Sequence, residues 1–194
     1  MEIWLNELLN LSYISYFVMI PGAALLLVLR GRWDAVERLT LTISISFYVS
    51  YIIFVFYPIV GPRFYLQEIY YLPIIGPYIT PLAERIVQKA GLYGGAMPSS
   101  HCAVALAAVA IVAAEFRRLR FVSICLLILL CLSTVYGRYH YFSDVAAGLV
   151  LGWLSLVMGN RWQSKYGDAF DRDEVKSPVA DAEFSDIKTG ADID

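Results

Sequence analysis

The chain has 194 residues, of which 59% are hydrophobic and only 16% charged. A soluble globular domain has about 45–50% apolar and about 25% charged residues, so this composition excludes an ordinary water-soluble domain and calls for a lipid bilayer as partner. The net charge of −2 comes with no dense basic stripe, which excludes nucleic acid as a partner.

A spanning helix needs about 20 apolar residues. The first candidate runs from about Leu8 to Leu29 and stops at Arg30-Gly31-Arg32. Pro21-Gly22 predicts a kink that neighbouring helices can tolerate. Met1-Glu2-Ile3-Trp4 carries no positive leader, so this run is read as a span and not a signal peptide. The second candidate runs from about Leu39 to Ile59, and its Thr40, Thr42, Ser44, Ser46 and Ser50 predict a helix facing other helices. A long connection from Gly61 to Pro98 follows, punctuated by Pro62, Pro73, Pro77 and Pro81. Within it Thr80 to Gly91 reads as a short interfacial helix, with Thr80 as N-cap, Pro81 as first helical residue and Gly91 as stop. Tyr65, Tyr70, Tyr71, Tyr78 and Tyr93 suit a membrane–water interface. The Gly-rich approach Gly91–Gly95 lets this segment cap or gate a site.

Three shorter candidates complete the chain: about Ser99 to Ala114, Phe121 to Tyr136 and Ser143 to Asn160. Ala103, Ala105, Ala107, Ala108 and Ala110 in one, and Ala146, Ala147, Gly148 and Gly152 in another, allow close helix packing. Cys102, Cys125 and Cys131 all lie in apolar runs without metal-ligand spacing, so neither a metal site nor a disulfide framework is expected. After Arg161 the apolar pattern ends, and an acidic stretch from Asp168 to Asp194 reads as a disordered tail. The expected architecture is all-α: a polytopic transmembrane bundle of about five spanning helices plus the short interfacial helix, with a membrane domain over residues 1–162 and a tail over 163–194. The sequence sets no oligomeric state.

Basic residues give the expected orientation. Arg30, Arg32 and Arg38, then Arg117, Arg118 and Arg120, then Arg161 and Lys165 fall on one side, which the positive-inside rule makes cytoplasmic. The protein is therefore expected in a plasma or inner membrane with its tail in the cytoplasm. The Gly61–Pro98 and Tyr136–Asp144 stretches then lie on the non-cytoplasmic face.

Those stretches hold both histidines. His140 and Asp144 share a helix face if a helix begins near Tyr141, so the carboxylate would accept from Nδ1–H and leave Nε2 as nucleophile or base. His101 follows Pro98-Ser99-Ser100, where two serines and the N–H groups of a helix start make an anion pocket. Arg63 and Arg138 add planar guanidinium groups that match phosphate oxygens, although each also has a plain reading as a snorkelling interfacial residue.

At these residues the chain resembles the type 2 phosphatidic acid phosphatase superfamily, which also includes lipid phosphotransferases and soluble vanadium haloperoxidases. Pro98-Ser99-Ser100-His101 matches the family's Pro-Ser-Gly-His with Ser for Gly, and His140-Tyr141-Phe142-Ser143-Asp144 matches its His-x-x-x-Asp. The resemblance covers roughly Tyr57 to Asn160. Three positions depart from the pattern. The family lysine falls at Phe56, the first motif reads Pro62-Arg63 and not Arg-Pro, and the third-motif arginine falls at Thr134. These departures resemble the branch near inositol-phosphorylceramide synthases.

The resemblance implies a metal-independent lipid phosphatase without cofactor, acting on a phosphomonoester or diphosphate lipid. His140 would attack phosphorus to form a phosphohistidine. Asp144 would orient it, and His101 would serve as acid and then base. Arg63, Arg138, Ser99 and Ser100 would hold the phosphate. A phosphotransferase using the same residues with an alcohol acceptor stays open. So does a metal- or haem-binding membrane protein with His101, His140 and Asp144 as ligands. Phosphatidic acid, phosphatidylglycerol phosphate, polyprenyl diphosphate and a lipid A phosphate all fit the implied substrate class.

Overall fold

The computed structural model describes residues 2–69 and 73–174. Every named element is a helix: α1 (Ile3–Leu29), α2 (Trp33–Phe56), α3 (Pro62–Tyr65), α4 (Ile79–Ala90), α5 (Ser100–Glu115), α6 (Arg120–Tyr136) and α7 (Phe142–Glu174). Three are long and apolar enough to cross a membrane: α1, α2 and the Phe142–Tyr166 part of α7. The apolar helices α5 and α6 have 16 and 17 residues. At about 1.5 Å per residue these two fall short of a hydrocarbon core about 30 Å thick. Among the described residues the chain is thus all-helical, with three candidate spans and two shorter apolar helices.

The helix boundaries differ from the apolar windows for physical reasons. The helix α2 begins at Trp33, because the polar turn Asp34–Arg38 is helical although it is not apolar. Pro21 sits inside α1 without ending it. Thr80 is not the N-cap of α4, which starts one residue earlier. Its free N–H groups are capped from another helix: the Glu7 carboxylate of α1 accepts from the backbone of Ile79 (2.8 Å) and Thr80 (3.1 Å) and from the Thr80 hydroxyl (2.8 Å). Asn6 and Asn10, one turn apart on α1, donate to the Ile75 carbonyl (2.6 Å) and Thr80 Oγ1 (3.2 Å). A local N-cap was expected, and a long-range acid does the same work.

Burial centres on α5. From Cys102 to Ala113, all but Leu106 and Ala110 of its side chains are buried, which follows from a sequence of alanines and valines small enough to let neighbours approach. It packs against α1, α2 and α6. One apolar cluster joins Leu27, Leu39, Ala108 and Ile111; another joins Tyr13, Tyr16, Val104 and Leu130 nearer the histidines. The α5 backbone also approaches α7 closely. A Cβ added at Gly148 would lie 2.4 Å from the Ser99 carbonyl oxygen, and one at Gly152 would lie 2.5 Å from that of Ala103. Only glycine permits this contact, and it repeats at one-turn spacing. The hydroxyl stripe of α2 faces inward in part: Thr42, Ser46 and Ser50 are buried, Ser44 is half-buried and Thr40 is exposed, and Ser46 and Ser50 donate to carbonyls one turn back in their own helix.

At the far end of α5 from His101, Glu115 pairs with Arg32 and, at 3.0 Å, with Arg38, which ties the start of α2 to the close of α5. Residues up to Gly159 form one compact unit. A second unit starts at Asn160 and is helical through Glu174, so the first part of the acidic stretch is helix. The remaining tail residues, 175–194, lie outside the described residues, as do Tyr70 and Tyr71.

Candidate active site

The helix α6 ends at Gly137, and Arg138 takes a left-handed backbone conformation with φ of 62°. That turn lets the N–H groups of Tyr139 and His140 both donate to the Thr134 carbonyl, at 3.0 and 3.1 Å. His140 is thereby held between α6 and α7 by main-chain bonds, and its side chain is buried. Its Nδ1 lies 2.8 Å from the Ala96 carbonyl oxygen. A carbonyl only accepts, so Nδ1 carries a proton, and in the neutral ring Nε2 keeps its lone pair. The sequence predicts Asp144 as the acceptor. The carboxylate lies 3.7 Å from Nδ1 and instead accepts from the Tyr141 N–H at 2.8 Å, in the first turn of α7. The carboxyl group is buried beside the imidazole.

His101 lies in the first turn of α5. Ser99, fully buried, is the N-cap, and its hydroxyl accepts from the Cys102 N–H at 3.4 Å. Its own N–H donates to the Asp144 carbonyl at 2.9 Å, so the starts of α5 and α7 are joined through the main chain. The two imidazole centroids are 6.0 Å apart. Tyr13 and Tyr16 of α1 pack their rings on His101, at 5.6 and 4.7 Å. His101 Nδ1 is buried with no hydrogen-bond partner among the described residues, a state polar groups rarely tolerate unless a ligand completes it.

Both histidines line a cavity of about 460 Å³. Ser100, Arg63 and Tyr139 line it too, while Phe17, Phe47, Tyr51 and Phe54 supply an aromatic wall. Arg63 is brought in from the segment after α2, where the Ala96 N–H donates to the Ile59 carbonyl at 3.1 Å. Its guanidinium sits 5.7 Å from the centroid of the Tyr139 ring. Burial pushes the Tyr139 phenol up, so it stays neutral. Arg63 also forms a two-point pair with Glu84 of α4, one contact at 3.1 Å and a second shorter one, and this carboxylate pushes the guanidinium pKa further up. A second cavity, of about 390 Å³, lies on the other side of Arg63 and is lined by Gln67, Glu84 and Arg138.

Of the residues singled out from sequence, His101, His140, Arg63 and Ser100 share one cavity. Arg138 lines the neighbouring one, while Ser99 and Asp144 are buried behind the wall. Thr134, at the family's arginine position, is fully buried with its hydroxyl on the Cys131 carbonyl at 2.8 Å. Phe56, at the lysine position, is exposed. Sequence reasoning passed over Glu84, Glu7, Ala96, Tyr13 and Tyr16. Only the tyrosines gave a signal, being three residues apart in an apolar run. Among the described residues no three His, Cys, Asp or Glu side chains cluster closely enough to hold a metal ion, so the alternative metal reading finds no donor set there.

A helical chain rich in apolar spans, with paired histidines and an arginine around one cavity, defines a membrane phosphatase-like protein. In agreement, a family model of the PAP2 superfamily matches residues 1–158, and the chain belongs to that superfamily. No curated protein and no solved structure matches the chain.

Proposed function

We propose that this protein hydrolyses a lipid phosphate, a phosphomonoester or diphosphate, through a phosphohistidine on His140 at the non-cytoplasmic membrane face. The observation that carries the reading is the cavity itself. His140, His101, Arg63 and Ser100 line a cavity whose wall is otherwise mostly aromatic and aliphatic, which suits a phosphate with an apolar tail. With Nδ1–H fixed on Ala96, His140 offers the Nε2 lone pair to phosphorus. The P–O bond to the lipid breaks, and the leaving oxygen takes a proton from His101. His101 then removes a proton from water as that water attacks the phosphohistidine, and free phosphate leaves. Arg63 and the start of α5 stabilise the equatorial oxygens. Asp144 stabilises the imidazolium character that develops on His140. Ser99 caps the start of α5 from behind this shell, and Arg138 lines the neighbouring cavity. Release of phosphate from a panel of lipid phosphates by wild type, and its loss in His140→Ala, tests the reading; equal release by both proteins refutes it.

A second reading, a phosphotransferase to an alcohol, is favoured by the second cavity beside Arg63, lined in part by Gln67, Glu84 and Arg138, which offers room for an acceptor next to the phosphate. Product analysis with and without a candidate acceptor separates the two. Free phosphate as sole product in both conditions excludes transfer.

A further inference from the structure

Arg63 is the one side chain with a fixed charge among the residues lining the histidine cavity, and the carboxylate of Glu84 already occupies its fork. The helix that carries Glu84 is not loosely attached. Ala83 and Val87 are buried, Glu7 caps its start, and Ile86 and Val87 face the same cavity. The acid is therefore held against the arginine by packing, about a quarter exposed like its partner. A bidentate carboxylate is the closest intramolecular equivalent of a phosphate on a guanidinium. An incoming phosphate must share or replace it. The second cavity, lined by Glu84 and Arg138 together, gives the displaced carboxylate a cationic neighbour to turn towards.

We propose that Glu84 is a specificity-determining residue that acts through Arg63, limiting the negative charge the phosphate site accepts and so weakening its hold on a doubly charged phosphomonoester more than on a singly charged phosphodiester. The proposal rests on the reading of the histidine cavity as the phosphate site. A phosphomonoester carries about −1.5 to −2 charge near pH 7, a diester about −1, and like charge beside a fixed carboxylate disfavours the former more. Glu84 touches Arg63 and not the reacting atoms, so it is a positioning residue.

The test uses the full-length protein in detergent. The KM for a phosphomonoester lipid and for a phosphodiester lipid is measured in wild type, Glu84→Gln and Glu84→Asp. Binding of inorganic phosphate and of orthovanadate to the same three proteins is measured without turnover. Glu84→Gln is expected to lower the phosphomonoester KM, and the phosphate and vanadate Kd, on the order of tenfold. The phosphodiester KM should change less than about twofold, and Glu84→Asp should return all values towards wild type. A merely structural pin predicts the opposite, a raised KM for both lipids with a lowered Tm. Unchanged or weakened phosphate binding in Glu84→Gln overturns the proposal. If no lipid is turned over by any variant, the function above fails, while the anion-binding comparison still decides the role of Glu84.

Discussion

Gly148→Ala is the sharpest probe of how the site is held. The added Cβ would lie 2.4 Å from the Ser99 carbonyl oxygen and 3.2 Å from the Ser99 Cβ. Ordinary contact begins near 3.4 Å, so α7 must retreat from α5 by about 1 Å. Neither partner can yield by rotating a side chain, because the nearest atom is backbone. The retreat works against the bond from the Ser99 N–H to the Asp144 carbonyl, four residues before the glycine, and so against the spacing of His101 and His140. Overpacking of this kind costs about 1–3 kcal/mol of stability, and a 1 Å misplacement of reacting groups costs about a hundredfold in rate. The assay is kcat for phosphate release alongside a thermal melt in detergent. Gly152→Ala is the comparison: its Cβ meets the Ala103 carbonyl at 2.5 Å, one turn further from the histidines, so it should lower Tm similarly and kcat less. A Gly148→Ala protein with wild-type kcat would refute the argument that the α5–α7 contact sets the spacing.

Other outcomes are expected. His140→Ala should lower kcat by about a thousandfold or more, and His101→Ala by about a hundredfold to ten-thousandfold, with both proteins folded by circular dichroism. Glu7→Ala should speed hydrogen exchange at the Ile79 and Thr80 amides, because their acceptor is that carboxylate; unchanged exchange would mean the cap is dispensable. Chelator should leave activity intact, and loss of activity restored by one added metal would revive the metal-ligand reading of His101, His140 and Asp144.

The helices were legible in the sequence because apolar run length reports directly on bilayer-scale burial, and the small-residue stripes of α5 and α7 forecast that each packs closely, though not against which neighbour. The two histidine motifs were legible because each sits at a helix start with characteristic neighbours. The remainder depended on contacts far apart in sequence. Nothing in the chain near Thr80 announces that Glu7 will cap it, and Glu84 looks like any polar residue on an interfacial helix. Asp144 shows the limit of a spacing rule. Its four-residue offset from His140 places the carboxylate near the ring, but the Tyr141 N–H and the Ala96 carbonyl compete for the same bonds, and local geometry sends each to its own partner.

The burial of α5 has a consequence for where the reaction takes place. Helices that touch lipid tilt or slide when bilayer thickness changes. The helix that carries His101 is wrapped by protein along nearly its whole length, and its start is tied to α7 through the main chain. The depth and spacing of the histidine pair are thus referenced to the bundle and not to the surrounding lipid. Membranes of different thickness should alter how easily a substrate reaches the cavity while leaving the chemical step inside it nearly constant.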